Sequence, residues 1–326
     1  MTYDLNKALK LWRNAIEQEL SKTDYPQAPD YLTSPMAYAL EAKGKRLRPA
    51  LFFATLEAFG QNWEDFVNIG TAIEVFHTST LVHDDIMDGD EMRRGQETVH
   101  KKFDHNQALL VGDALIIYAY QLLETLQPEK FSEALKLFNK ATMDVCVGQA
   151  RDMQNERDNT ISRLDYERMI DEKTSALLVL SCKMGALLSG ARSKQIEAIG
   201  TFGLKLGRAF QMQDDFLELT SSAQDMGKSL GSDIDNEKMT WLWLDMIDHL
   251  TPLQKEERND LNRSDAPVEL IREKILGWMQ SCGTFDRAKI QINNYFNDSI
   301  HYLKNANLEN DQGLIALTEF ILKRKN

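Results

Sequence analysis

A long helical pattern covers residues 64 to about 91 and ends in a cluster of carboxylates. Apolar side chains recur there at intervals of three and four residues, among them Ile69, Ile73 and Phe76. This spacing predicts a long amphipathic helix with one buried face. A helix of that kind needs other helices to cover its apolar face, which is typical of a helical bundle.

The rest of the chain has the same helical character. It holds 17 Gly and 7 Pro in 326 residues, and 43 % of the residues are hydrophobic. Strand-like alternation is scarce, so the composition favours an all-α fold. We find no repeat and no inter-domain linker, and we predict one helical domain over residues 1–326. The predicted helices cover residues 4–21, 35–43, 49–60, 64–91, 106–126, 129–156, 163–190 and 193–220, with several shorter ones from 237.

The charge balance and the cysteines exclude some function classes. The net charge of −12 argues against nucleic-acid binding, which requires a basic surface. The three cysteines lack the spacing of metal ligands, so we predict free thiols in a reducing compartment. The most apolar segment, residues 176–190, is interrupted by Lys183 and is too short to span a membrane. The N-terminus does not resemble a signal peptide, and we expect a cytoplasmic protein.

Two acidic clusters share one spacing. Carboxylates occupy positions i, i+1 and i+4 in each cluster: Asp84, Asp85 and Asp88, then Asp214, Asp215 and Glu218. On a helix, positions i and i+4 share a face, so both can contact one hard divalent cation. Each cluster ends a predicted helix, where the helix dipole disfavours negative charge. We therefore predict that the two clusters face each other across a bundle and bind Mg²⁺.

Basic residues accompany these clusters at four places along the chain. They are Lys45 and Arg48, Arg93 and Arg94, Lys173, and Lys228 with Lys238. Lys173 lies in an apolar segment, where a lysine either reaches solvent or has an anionic partner. Arginine binds phosphate through parallel hydrogen bonds. An acidic protein needs such local cations and a metal ion to bind an anion, and the combination predicts a site for metal-bridged diphosphate.

Five motifs, taken in order, resemble those of the trans-isoprenyl diphosphate synthases, which make farnesyl, geranylgeranyl and longer polyprenyl diphosphates. The motifs are Gly44 to Pro49, Asp84 to Asp88 with Arg93-Arg94-Gly95, Gly148 to Asp152, Lys173-Thr174, and Phe210 to Asp215 with Gly227-Lys228. The resemblance implies an all-α bundle around a deep central cavity, usually in a homodimer. It also implies the head-to-tail condensation of an allylic diphosphate with isopentenyl diphosphate.

The resemblance further implies a role for each site residue. Three Mg²⁺ ions would bind Asp84, Asp88 and Asp214, with Asp85, Gln149, Asp152, Asp215 and Glu218 in support. The allylic diphosphate would contact Arg93, Lys173 and Lys228, with Thr174, Gln211 and Lys238 close by. The diphosphate of the homoallylic substrate would contact Lys45, Arg48, His77 and Arg94. The residues expected to act in catalysis are Asp84, Asp88, Arg93, Lys173, Asp214 and Lys228.

Three positions depart from the family pattern. Lys43 stands where the family often has a second glycine before Gly44, and Glu218 stands where aspartate is usual. Glutamate is one methylene longer, which leaves open whether Glu218 contacts the metal directly. The end of the chain, residues 323–325, is similar to the basic tails that close over the site in some short-chain members. A basic terminus can also simply be solvated.

Residues just upstream of the first acidic cluster bear on product length. One helical turn rises about 5.4 Å, close to one isoprene unit. Ser79 and Thr80 are small where an aromatic residue stops chain growth in many family members that make farnesyl or geranylgeranyl products. Phe76, one turn deeper, is the next candidate floor, so we predict a product longer than C20, in the range C25 to C35. Alternatively, Tyr118 or Tyr120 from another helix blocks growth first.

Other functions remain as alternatives. The nearest is a short-chain farnesyl or geranylgeranyl diphosphate synthase. A class I terpene cyclase shares the first acidic motif and the fold, but its second motif has an Asn/Ser/Glu pattern where this chain has Asp214-Asp215. A metal phosphohydrolase that used His83 would need more histidine ligands. A non-catalytic partner subunit lacks one acidic motif, whereas both are present here.

Overall fold

The computed structural model describes residues 3–22, 28–155, 160–220, 238–261 and 267–323, and helices dominate these ranges. The helices are α1 (Leu5–Ser21), α2 (Asp30–Glu41), α3 (Leu47–Ala58), α4 (Val67–Asp88), α5 (Val99–Lys102), α6 (His105–Leu123), α7 (Pro128–Asn155), α8 (Arg163–Ile170), α9 (Ala176–Leu188), α10 (Ser193–Thr220), α11 (Trp241–His249), α12 (Pro252–Leu261), α13 (Val268–Ser281), α14 (Thr284–Asn305) and α15 (Gln312–Lys323). The all-α prediction is confirmed. Within the described ranges, no helix is both long and apolar enough to cross a membrane.

Three short elements differ from the predicted pattern. A 3₁₀ turn, Trp63–Phe66, precedes α4. Two strands, β1 (Met92–Arg93) and β2 (Gln96–Glu97), form an antiparallel hairpin directly after the first acidic cluster. The helix predicted over residues 163–190 is divided by a π-helical turn, Asp171–Ser175. An extra residue per turn redirects side chains, and periodicity alone does not reveal such a local change.

The start of α2 corrects the prediction of a helix over residues 35–43. The helix begins at Asp30 and contains Pro35. The amides of Leu32 and Thr33 already donate to the carbonyl of Pro29, at 2.8 and 3.2 Å. In the structure the helix continues through Pro35, which removes a single N–H donor.

The described chain divides into two compact units, and one of them comprises Met1–Lys140, Leu177–Thr201 and Tyr302–Glu319. Helix α4 lies in its core and packs against α1, α3 and α6. Ile69 and Ile73 on α4 are fully buried, as are Phe52 and Phe53 on α3. The buried length of α4 thus supports its C-terminal end, where the first acidic cluster lies. The prediction of one domain over residues 1–326 stays a prediction.

The second unit comprises Ala141–Ala176, Phe202–His301 and Phe320–Asn326. Its core surrounds α11, on which Trp243 and Met246 are buried. Asp245 on the same helix is fully buried, and it pairs with Arg163 on α8 at 3.1 Å and with Arg287 on α14 at 2.6 Å. A buried carboxylate requires such partners, and this one connects three helices.

Candidate active site

The first acidic cluster occupies the last turn of α4, which ends at Asp88. Asp84 is half-buried and Asp88 is exposed. Asp85, by contrast, is only 4 % exposed. It forms an ion pair with Arg93, which also reaches Asp90 at 3.2 Å. The carboxylate of Asp85 is therefore paired within the protein, whereas those of Asp84 and Asp88 lie closer to the surface.

A second group on the same unit joins Arg48 to His77. Nη1 of Arg48 donates to Nε2 of His77 across 2.8 Å, which places the imidazole proton on Nδ1. Burial lowers the pKa of His77 well below its usual value, and the positive charges of Arg48 and Arg94 lower that pKa further. His77 is consequently a neutral acceptor that orients the Arg48 guanidinium.

Arg94 lies against the loop that precedes α3. Its backbone is left-handed, with a φ of 53°. Nη1 of Arg94 donates to the carbonyl of Lys43 at 3.4 Å, and a Cβ on Gly44 would lie 2.5 Å from that nitrogen. The guanidinium of Arg94 thus covers Gly44, and a side chain at position 44 would displace it. Lys45 is exposed beside this contact. Arg93 and Arg94 also line a small cavity of about 40 Å³ that reaches Asp85.

Arg46 was not assigned a role from the sequence, yet it is the buried basic residue of its motif. It is 6 % exposed and begins α3 with a left-handed φ of 49°. Nη1 donates to Glu74 at 2.7 Å, and Nη2 donates to the carbonyls of Leu40 and Ala42 at 3.1 and 3.0 Å. A glutamate inside the apolar stretch of α4 was the available signal, because buried charges need partners.

The second acidic cluster repeats the division seen in the first. Asp214 and Glu218 are half-buried, whereas Asp215 is buried. The hydroxyl of Tyr166 donates to Asp215, and Nε2 of Gln211 donates to its other oxygen at 2.9 Å. Burial raises the pKa of Asp215, although both hydrogen bonds oppose that rise. Tyr166 was missed from the sequence because it lies almost fifty residues upstream of its partner.

Two lysines of the second unit share one buried carboxylate. Nζ of Lys173 lies 2.5 Å from Oδ2 of Asp152, and Nζ of Lys238 lies 3.8 Å from the same oxygen. Thr174 donates to Gln211 at 2.7 Å. All five side chains line one cavity of about 100 Å³. The sequence-predicted ligands of an allylic diphosphate are thus brought together here, except Arg93, which lies in the other unit, and Lys228, which lies outside the described residues.

The donor set suits a hard divalent cation. The outer positions of both clusters are carboxylates, which Mg²⁺ prefers. Within the described ranges, no three His, Cys, Asp or Glu side chains are grouped closely enough to hold a metal ion. Mg²⁺ binds through one or two protein carboxylates together with water and substrate phosphates, and the outer carboxylates of each cluster are ligands of that kind. Gln149 is buried on α7, three residues before Asp152, and the basic end after Lys323 lies outside the described residues.

The residues assigned to product length lie on α4 and on its aromatic neighbours. Ser79 is fully buried, and its hydroxyl donates to the carbonyl of Phe76 at 2.7 Å. Thr80 is partly exposed. The ring of Phe76 packs edge-on against Phe138 at 5.7 Å, and Phe138 packs edge-on against Tyr120 at 5.1 Å. Phe76 is therefore the first of three rings in contact, a geometry that is favourable for aromatic pairs.

Comparisons with known proteins identify the family of the chain. A family model described as polyprenyl synthetase matches residues 29–276. The chain is 33 % identical to the geranylgeranyl diphosphate synthase of Methanosarcina mazei over 80 % of this chain and 79 % of that protein. It is 32 % identical to the geranylfarnesyl diphosphate synthase of Natronomonas pharaonis, with 85 % of each chain covered. The crystal structure of geranylgeranyl pyrophosphate synthetase from Pyrococcus horikoshii superposes with a TM-score of 0.89 at 29 % identity, with 98 % of each chain covered. The resemblance inferred from the motifs is confirmed, and the chain belongs to the polyprenyl synthetase family of trans-isoprenyl diphosphate synthases.

Proposed function

We propose that this prenyltransferase condenses an allylic diphosphate with isopentenyl diphosphate head to tail and makes a product longer than C20, in the range C25 to C35. Ser79 and Thr80 support the long-chain assignment most directly, because both side chains are small. Asp84, Thr80 and Phe76 follow one another at intervals of four residues and share a helix face. The ring of Phe76 is then the first bulky group below the acidic cluster.

The cavity of the second unit is the proposed site of the allylic diphosphate. Lys173 and Lys238 supply positive charge, and the hydroxyl of Thr174, which donates to Gln211, lines the same cavity. Mg²⁺ held by carboxylates of the two acidic clusters would supply positive charge to balance the charge of the leaving diphosphate. Its proposed ligands are Asp84, Asp88 and Asp214, supported by Asp85, Gln149, Asp152, Asp215 and Glu218. Asp85 and Asp215 are held by Arg93 and by Tyr166 with Gln211, so their contribution is to orient the clusters.

The proposed site of the homoallylic diphosphate consists of Arg48, Arg94, His77 and Lys45. Neutral His77 accepts a hydrogen bond from Arg48 and so orients its guanidinium, a group whose charge suits a phosphate. The π bond of isopentenyl diphosphate attacks the allylic carbocation, and a proton is then lost. The released diphosphate is the nearest strong base, so the chain needs no dedicated base of its own.

Exposed apolar side chains on α6 support a homodimer. Leu109, Leu110 and Ile117 are exposed on this helix, and Ile117 is 61 % exposed. Contiguous apolar surface of this kind marks interaction sites, and a second copy of the chain is the proposed partner. Replacement of Ile117 by aspartate should shift the mass measured by light scattering toward that of one chain. An unchanged mass in this variant would remove α6 from the interface.

The enzyme assay uses radiolabelled isopentenyl diphosphate with dimethylallyl, geranyl or farnesyl diphosphate as primer, and resolves products by length. Products of C25 to C35 are expected. Products that stop at C15 or C20 would instead establish the short-chain alternative, and the absence of product with every primer would refute the synthase assignment.

Phe76→Ala tests the position of the floor. Removal of the ring should lengthen the product, because the space between Thr80 and Phe138 opens. Phe53→Ala is the matched control, since Phe53 is an equally buried ring on α3 and both changes lower stability by about 3–5 kcal/mol. The control should leave product length unchanged. An unchanged length in Phe76→Ala would remove Phe76 as the floor and direct attention to Tyr120.

A further inference from the structure

The π-helical turn Asp171–Ser175 carries two proposed ligands of the allylic diphosphate, Lys173 and Thr174. Lys173 reaches Asp152 on α7, whereas Thr174 reaches Gln211 on α10. Turns of this type are rare and often lie at functional sites. The turn sends two consecutive side chains to two different helices, so its own position determines where the ammonium and the hydroxyl lie.

Arg208 on α10 binds the beginning of this turn. Its Nε and Nη2 donate to the two oxygens of Asp171, both at 2.7 Å, and its Nη1 donates to Glu167 at 2.6 Å. Two parallel bonds between arginine and a carboxylate fix orientation as well as distance. Tyr295 donates to the other oxygen of Glu167 at 2.6 Å. The hydrogen bond to Asp171 raises the pKa of Arg208 above its usual value, so the guanidinium stays charged. We call the contact of Arg208 with Asp171 and Glu167 the clamp.

Two glycines allow neighbouring helices to approach the same turn closely. A Cβ on Gly148 of α7 would lie 2.2 Å from the backbone nitrogen of Lys173. A Cβ on Gly207 of α10 would lie 2.3 Å from Oγ of Ser175. Both distances are shorter than non-bonded atoms allow, so the two helices approach the turn as closely as backbone permits. The turn cannot move toward α7 or α10, and the remaining freedom is movement away from them.

Arg208 opposes that remaining movement. Arg208, Gln211 and Asp215 are spaced i, i+3 and i+7 and share one face of α10. Arg208 binds the first residue of the turn, and Gln211 binds Thr174 near its end. We propose that Arg208 and Asp171 are positioning residues, whose ion pair holds the π-helical turn so that Lys173 and Thr174 contact the allylic diphosphate. This inference rests on the proposed assignment of Lys173 to that substrate.

Steady-state kinetics of Arg208→Met, Arg208→Lys and Asp171→Asn test the clamp. In Arg208→Met the KM for geranyl diphosphate should rise about tenfold, whereas the KM for isopentenyl diphosphate should stay within about twofold. Arg208→Lys should give an intermediate value, because lysine keeps the charge but not the two parallel bonds. Lys205→Met is the matched control, since Lys205 lies one turn away on α10 and pairs with Asp298 at 3.3 Å. It should behave as wild type.

Two further measurements do not require turnover. Titration with inorganic diphosphate and Mg²⁺ by calorimetry should show about tenfold weaker binding in Arg208→Met than in wild type or Lys205→Met. Amide hydrogen exchange should accelerate in peptides covering residues 167–176 of Arg208→Met and Asp171→Asn, because the turn opens more often. If wild type forms no prenyl product, the proposed function fails, and these two measurements still decide whether the clamp positions the turn.

A purely structural role predicts different results. Loss of folded enzyme lowers kcat and leaves both KM values unchanged. That outcome in Arg208→Met and Asp171→Asn, with wild-type diphosphate binding by the folded fraction, overturns the proposal. An equal rise in both KM values overturns it as well, because the turn carries ligands of one substrate only. If Arg208→Met does not fold, Arg208→Lys and Asp171→Asn decide by the same criteria.

Discussion

The buried pair of Arg46 and Glu74 should be the most sensitive ion pair of the loop before α3. The two residues are 6 % and 2 % exposed, and their side chains meet at 2.7 Å. Arg46→Met leaves the Glu74 carboxylate buried without its cation, which lowers stability by about 3–5 kcal/mol. The same change also removes the donors to the carbonyls of Leu40 and Ala42.

The double variant Arg46→Met/Glu74→Met separates these contributions. It contains no unpaired charge, so only the two backbone carbonyls lose their donor, at about 1 kcal/mol each. We therefore expect the double variant to lose about 2 kcal/mol, less than Arg46→Met alone. Recovery of stability upon a second substitution is the signature of a coupled pair.

Urea denaturation followed by far-UV circular dichroism measures these losses. Lys101→Met serves as the control because Lys101 and Glu91 pair at 2.6 Å on the surface, with side chains 42 % and 73 % exposed. Surface pairs contribute at most about 1 kcal/mol, so the control should remain close to wild type. The reasoning is refuted if Arg46→Met is no less stable than Lys101→Met, or if the double variant loses the sum of the two single losses.

Three other perturbations have defined outcomes. The pKa of His77 is lowered in the folded protein, whereas its value in the unfolded chain is about 6.5. Stability should therefore fall as the pH drops below about 6.5, by up to about 1.4 kcal/mol per pH unit. His77→Gln should not show this loss when urea titrations at pH 5 and pH 7 are compared. Tyr166→Phe removes the hydrogen bond to Asp215, and activity measured against Mg²⁺ concentration should fall about tenfold with a small loss of stability. Asp245→Asn leaves Arg287 without its buried carboxylate and should lower stability by about 3 kcal/mol in urea denaturation.

Sequence spacing predicted the helices and the end of α4 because both depend on local periodicity. It could not divide each acidic cluster into inner and outer carboxylates. That division depends on partners in other elements, such as Tyr166 for Asp215, and a helical repeat does not encode which neighbour a side chain meets. Arg93 lies only eight residues from Asp85, and a hairpin brings the two together. The turn of this hairpin has positive φ at Arg94 and Gly95, which the periodicity of the sequence does not predict.

The sequence predicted that Lys173, Thr174, Gln211 and Lys238 belong to one site, but it did not predict how they are arranged around the cavity. Asp152 was assigned to metal support by family resemblance, and the structure places it between Lys173 and Lys238. The π-helical turn could not be predicted for a related reason. Residues 163–190 keep an apolar periodicity through it, and the turn differs only in its contacts with Gly148 and Arg208.

The shared carboxylate of Asp152 has a consequence for which anions the cavity selects. Lys173 and Lys238 are already partly neutralised by one internal anion, so an incoming ligand must compete with Asp152 for the same ammonium groups. A monovalent anion such as chloride offers no more charge than the aspartate and gains little. A diphosphate carries several charges and can engage both lysines at once. On the proposed assignment of this cavity to the allylic diphosphate, discrimination by valence would keep abundant monovalent salt out of it, and inorganic diphosphate released by the condensation would compete with the next primer.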